Sequence, residues 1–105
     1  MSEFSERVWR VLQQVPSGKV ITYQLLAQAA GKPKAFRAVG TILNHNTQLI
    51  VLPCHRVVKS NGSVGEYVSG IDKKISLLIS EGVVITNEKI NLAHYLVKNI
   101  PYETN

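Results

Sequence analysis

Thr22-Tyr23-Gln24-Leu25-Leu26-Ala27-Gln28-Ala29-Ala30-Gly31-Lys32-Pro33-Lys34-Ala35-Phe36-Arg37-Ala38-Val39-Gly40-Thr41-Ile42-Leu43 is the stretch that decides the fold. Thr22 offers its hydroxyl as an N-cap for a helix over 23–30, and Gly31 suits the left-handed position after a helix C-terminus. Lys32-Pro33-Lys34 makes a tight turn, because proline cannot continue a helix. A further helix is expected over 34–43, before the polar loop Asn44-His45-Asn46-Thr47. Two short helices joined by glycine and proline, the second opening with Lys34 and Arg37, match a helix-turn-helix. The same pattern suits a plain helix-packing unit, so both readings stay open here.

On the N-terminal side, Phe4, Val8, Leu12 and Val15 fall at helical spacing over 3–15, and Trp9 and Val11 widen the stripe. Ser2 is the expected N-cap, with Glu3 and Glu6 at the favourable end of the dipole. Pro16-Ser17-Gly18 ends that helix, and Lys19-Val20-Ile21 is a short extended link. On the C-terminal side, Leu49-Ile50-Val51-Leu52 reads as a buried strand. Lys59-Ser60-Asn61-Gly62-Ser63 is a turn, and a glycine-bounded loop covers 64–70. A helix follows over 71–80 with Ile71, Ile75, Leu78 and Ile79 inward, closed by Glu81-Gly82. Val83-Val84-Ile85 suits a short strand, 91–98 a last short helix, and 101–105 a loose end. The chain is therefore expected to be one domain, mostly α with short strands.

The chemistry-bearing stretch is Pro53-Cys54-His55-Arg56-Val57-Val58, which holds the only cysteine of the 105 residues. A thiolate is a strong nucleophile, and histidine is the usual group for drawing a proton off a thiol near neutral pH. Adjacent residues on an extended chain face opposite ways, so His55 reaches Cys54 only through a water or a bend at Pro53. The plainer reading makes Cys54 a small buried hydrophobe. A single cysteine excludes an internal disulfide, and His45, His55 and His94 have no ligand spacing, so no metal or other cofactor is expected. The N-terminus lacks the pattern of a signal peptide and no apolar run suits a membrane span, so an intracellular, cytoplasmic setting is expected. The net charge of +5 points to a polyanionic partner only if the charge gathers on one face.

Pro53-Cys54-His55-Arg56-Val57-Val58 resembles the active-site motif of the O6-alkylguanine-DNA alkyltransferases. Gly18-Lys19-Val20-Ile21-Thr22-Tyr23, Ala35-Phe36-Arg37-Ala38-Val39-Gly40, Asn46, Ser60-Asn61-Gly62 and Glu81-Gly82 resemble that family's other motifs, in order and at compatible spacing. The resemblance implies a winged helix-turn-helix-like domain that binds duplex DNA containing O6-alkylguanine in the minor groove. It implies that the domain flips the damaged base and transfers the alkyl group to its own cysteine. Cys54 is the implied acceptor, His55 its base through a water, and Glu81 the group that orients the imidazole. Tyr23 is implied to rotate a phosphate and to protonate the leaving guanine. Asn46 is implied to hold the bend beside the cysteine strand. Arg37 is implied as the finger that fills the vacated stack, with Lys34, Ala35 and Arg56 among the DNA contacts. Val64, Gly65, Tyr67, Val68 and Ser69 are implied to line the base pocket.

The chain also departs from the fuller family pattern. It is expected to be a single DNA-binding and catalytic domain over 1–105, without the N-terminal domain of larger members, and a monomer suffices. Its size and the tail Lys89-Ile90-Asn91-Leu92-Ala93-His94-Tyr95 are similar to the alkyltransferase-like proteins, which carry tryptophan at the cysteine position and bind lesions without repairing them. Cys54 favours chemistry over flagging. A lesion-binding module whose thiol is idle and which flags O6-alkylguanine for another pathway is the first alternative, and a helix-turn-helix regulator unrelated to repair the second.

Overall fold

The computed structural model describes residues 3–46 and 52–98. Helix α1 (Glu3–Leu12) buries Phe4, Val8, Val11 and Leu12. It stops short of the expected Val15, because Gln14 and Val15 bond back three residues, to Val11 and Leu12, in a tightened last turn. Val15 still reaches the core. Arg7 is buried on the same face and donates from Nε to the Ala30 carbonyl at 2.7 Å, tying α1 to the end of the next helix. The expected Ser2 cap lies outside the described residues.

Strand β1 (Ile21–Thr22) leads directly into α2 (Tyr23–Ala29). The Thr22 hydroxyl accepts from the Leu25 amide at 3.0 Å, the cap read from the sequence. The helix ends in a paired return of backbone bonds, Lys32 N–H to Ala27 and Gly31 N–H to Gln28, both 3.0 Å, with Gly31 at φ +94. Helix α3 (Phe36–Asn44) follows and packs on α2. It begins two residues later than the sequence suggested, so Lys34 sits in the turn before it rather than in the helix. The Ala35 amide is occupied by the Lys32 carbonyl in that turn, which the proline geometry at 33 enforces.

Beyond the strand expected at 49–52, of which 49–51 fall outside the described residues, the chain makes one 3₁₀ turn (Cys54–Arg56) and strand β2 (Val57–Val58). β2 pairs in parallel with β1, Ile21 against Val57 and Thr22 against Val58. This small ladder sets Tyr23, the next residue after β1, beside the cysteine segment. The first core cluster packs Cys54 and Val57 with the inner faces of α1, α2 and α3. A second gathers Val20, Val58, Val64, Leu78, Val83 and Ile90.

The turn after β2 pairs with a second turn rather than with a strand at 83–85, where no strand forms. Ile90 donates to Gly62 at 2.8 Å and Val64 to Glu88 at 2.9 Å. Gly62 has φ +89, and a Cβ there would lie 2.7 Å from the Ile90 carbonyl oxygen, so the close approach requires glycine. Helix α4 (Ile71–Ser80) has the expected bounds but not the expected face. Leu78 is fully buried, yet Ile71 and Ile79 are exposed, and the residue buried beside Leu78 is Lys74. The last helix, α5 (Leu92–Tyr95), is a single turn capped by Asn91 rather than a helix over 91–98. Leu96 leaves it to pair with Val20. The result is a mostly helical, winged helix-turn-helix-like domain with short strands. Among the described residues no helix is long and apolar enough to cross a membrane.

Candidate active site

Pro53 bends the chain out of an extended path, and Cys54 opens the 3₁₀ turn with its amide on the Leu52 carbonyl at 2.8 Å. The bend, not an alternating strand, therefore sets the directions of Cys54 and His55. Cys54 is 3% exposed. Its Sγ accepts from Asn46 Nδ2 at 3.2 Å, and the same nitrogen donates to the Leu52 carbonyl at 2.8 Å. Asn46, just after α3, thus holds both the thiol and the chain before it.

His55 is fully buried, and its Nε2 lies 3.0 Å from Glu81 Oε2. Glu81 sits at the C-terminal end of α4, where backbone carbonyls repel a carboxylate, so it needs cationic partners. Arg56 supplies them through Nε to Oε1 at 3.0 Å and Nη2 to Oε2 at 2.6 Å, while its Nη1 donates to the Val15 carbonyl at 2.8 Å. The guanidinium that the resemblance assigned to DNA contact is committed inside the fold, with the side chain 14% exposed.

Burial sets the resting protonation of this group. It pushes the Cys54 thiol up, against the Asn46 bond and the charge of Lys74. It pulls His55 down, against the Glu81 contact. Burial would also raise Glu81, but the Arg56 and His55 bonds outweigh it and hold the carboxyl below its usual value. At neutral pH the site therefore rests as a thiol, a neutral imidazole and a carboxylate.

Tyr23, at the start of α2, is half-buried, and its hydroxyl lies 3.5 Å from the Glu66 carbonyl. Burial first, then the charges of Glu66 and Cys54, push its phenol up to about 12, so it stays protonated. A depression of about 340 Å³ opens beside it, lined by Tyr23, Arg37, Lys59, Glu66 and Val68 among others. Arg37 is exposed in the first turn of α3, Lys34 is exposed in the turn before it, and Ala35 is half-buried. Of the expected base-pocket residues, Val68 lines this depression. Gly65 packs behind the Tyr23 ring, where a Cβ would sit 3.4 Å from Cε2. Val64 belongs to the second core cluster, Tyr67 packs against the first, and Ser69 is exposed.

Sequence reading missed Lys74. Its Nζ donates to Val57 O at 2.6 Å and Glu66 O at 2.8 Å, and lies 5.8 Å from the centre of the Tyr23 ring. One buried ammonium thus ties β2, the 64–70 loop and Tyr23 together. A lysine on a helix reads as a solvated charge. The available signal was its position one helical turn before Leu78, on the same face of the helix. Burial pulls its pKa from 10.5 to about 7. The unfolded chain then binds more protons than the folded one between about pH 7 and 10.5, so this group adds stability as pH rises through that window. Lys74→Met should therefore be more destabilising, relative to the unmodified chain, at pH 10 than at pH 7. Urea denaturation at the two pH values checks this, and a pH-independent difference would remove the assignment.

Residues 3–83 match the family model described as the DNA binding domain of 6-O-methylguanine DNA methyltransferase. A methylated-DNA–protein-cysteine methyltransferase of Methanosarcina acetivorans is 46% identical over 81 residues, 77% of this chain and 52% of the relative. The chain thus spans about half the length of that relative. Atl1 of S. pombe, solved in complex with damaged DNA containing O6-carboxymethylguanine, superposes with a TM-score of 0.86 at 31% identity, covering 94% of this chain and 98% of that one. Mycobacterium tuberculosis OGT, solved in complex with DNA, gives 0.75 at 39% identity over 78% of this chain and 50% of that one. With the Cys54 turn, the His55–Glu81 pair and the α2–α3 unit in place, the chain belongs to the 6-O-methylguanine DNA methyltransferase family through its DNA-binding domain.

Proposed function

We propose that the protein repairs O6-alkylguanine in duplex DNA by moving the alkyl group to Cys54, once per molecule, and that residues 1–105 carry both DNA binding and chemistry. The observation that supports it most is a buried thiol next to a neutral histidine held by a carboxylate. Arg37 and Lys59 line the depression together with the single carboxylate of Glu66, a net positive charge that suits phosphates. Helix α3 enters the minor groove, Arg37 fills the gap left by the flipped base, and the depression beside Tyr23 receives that base.

In the transfer, the thiol proton passes to His55 through a water, and sulfur attacks the sp3 carbon. The S–C bond forms as the C–O6 bond breaks, and the electron pair leaves with guanine, which Tyr23 protonates. Asn46 orients the sulfur. Arg56, already committed to Glu81, is a positioning residue for the base rather than a DNA contact. The product is a thioether, which water does not hydrolyse at neutral pH, so each molecule acts once.

The test is a count of lesions repaired with protein limiting. The proposal expects a plateau at one per protein molecule; continued turnover or no repair would contradict it. Arg37→Ala should slow reaction on the duplex by about tenfold while leaving reaction with a free O6-alkylguanine base unchanged, because only the duplex requires a costly flip. Equal losses on both substrates would remove the finger role. The whole-length likeness to Atl1 supports a second reading, lesion binding without transfer. Cys54, with a base oriented beside it, favours transfer.

A further inference from the structure

Among the described residues two buried side-chain polar atoms have no hydrogen-bond partner, and both are in this site: His55 Nδ1 and Tyr67 Oη. Their rings meet edge-on, with centroids 6.4 Å apart at 77°. Buried phenols and imidazole nitrogens are rarely unpaired, so two such atoms on touching rings call for one explanation rather than two. His55 Nε2 is engaged with Glu81, which fixes the proton there and leaves Nδ1 as an acceptor. Tyr67 also lies close enough to Cys54 that a thiolate there would hinder ionisation of its phenol, a smaller effect than burial. Tyr67, whose hydroxyl has nothing to bond, therefore neighbours both the thiol that must lose a proton and the ring whose free nitrogen can accept one.

We propose that Tyr67 is a positioning residue that holds the water connecting Cys54 to His55, a role that rests on the thiol–imidazole relay proposed above. The water accepts from the Cys54 S–H and from the Tyr67 O–H, and donates to His55 Nδ1. As sulfur gives its proton to the water, the water gives one of its own to Nδ1, leaving a thiolate and an imidazolium. Tyr67 keeps its proton throughout. Two of the water's acceptor sites and one donor site are then fixed, which orients the relay before substrate arrives. The charged groups facing this corner are Glu81 and Arg56 on the imidazole side and Lys74 from α4. Tyr23 faces Cys54 from α2. None of the hydrogen bonds of these four groups reaches Nδ1 or Tyr67 Oη.

Tyr67→Phe removes only the hydroxyl and keeps the ring packing, and that hydroxyl bonds no protein atom, so the fold should persist. The probe is iodoacetamide, which reports the thiolate of Cys54 in the full chain without DNA. The variant should react about fivefold more slowly at neutral pH, the size of one hydrogen bond, with the midpoint of its pH profile displaced upward. In a His55→Ala background the same change should have no further effect, because no relay remains to be oriented. An unchanged pH profile, or equal losses in both backgrounds, would overturn the role of Tyr67. A clear Tyr67 effect in a chain that fails to repair DNA would uphold this role and sink only the repair proposal.

Discussion

Cys54→Ala should abolish alkyl transfer and leave duplex binding unchanged. The sulfur is the only acceptor offered by the proposed chemistry, and no second cysteine can replace it. The substitution should also be structurally mild. Asn46 Nδ2 loses its bond to Sγ but keeps the 2.8 Å bond to the Leu52 carbonyl, so the bend before the 3₁₀ turn stays anchored. Removing one buried sulfur costs about 1 kcal/mol, a tolerable loss. The lost activity can thus be assigned to chemistry rather than unfolding, provided the melting curve and the duplex affinity are measured on the same sample. Transfer that survives in the variant would remove Cys54 as acceptor.

Glu81→Ala should be the most destabilising single change in the site. It leaves the Arg56 guanidinium and the His55 ring without the carboxylate that both contact, in a place where neither side chain is more than 14% exposed. Breaking a buried ion pair from one side costs about 3 kcal/mol or more, against about 5–15 kcal/mol for a whole domain. The pH dependence carries a second signature. His55 is held below its ordinary 6.5, so the unfolded chain binds a proton that the fold resists, and stability falls as pH drops below about 6.5. Glu81 is held below its ordinary 4.5, so its contribution is present above that value and is lost as pH falls through the lower folded one. The unmodified chain should lose stability in both steps. Glu81→Ala should lack the second step and show a larger first one, because the carboxylate no longer offsets the burial of His55. Denaturant titrations from pH 7 to well below pH 4 check both. A variant that keeps the acid step would show that some other carboxylate carries it.

The parts of this fold that local chemistry governs were legible in the sequence. The Thr22 cap, the Gly31 turn, the limits of α4 and the turn at 59–63 each follow from a residue type acting on its own backbone. What was not legible depends on contacts between distant segments. The Ile21–Thr22 and Val57–Val58 ladder joins positions 36 residues apart, and no periodicity within two-residue strands announces it. Lys74 was hidden for a different reason: only the carbonyls of Val57 and Glu66, supplied by other segments, make burying an ammonium tolerable. Once it occupies the inward face, Ile79 turns outward. The cysteine motif and the possibility of a bend at Pro53 were legible, but the 3₁₀ turn that the bend opens was not. An extended chain would put Cys54 and His55 on opposite faces, whereas here both lie in a 3₁₀ turn after Pro53, Cys54 against Asn46 and His55 against Glu81. The family resemblance implies a DNA contact for Arg56, and only the fold shows its bonds to Glu81 and Val15.

Intact-protein mass spectrometry after mixing equimolar protein with duplex DNA containing O6-methylguanine tests the central claim most directly. Stoichiometric transfer predicts a gain of one methylene per chain, absent in Cys54→Ala. An unchanged mass together with tight, lesion-selective binding would contradict it and make the protein a recogniser of the damage rather than its repairer.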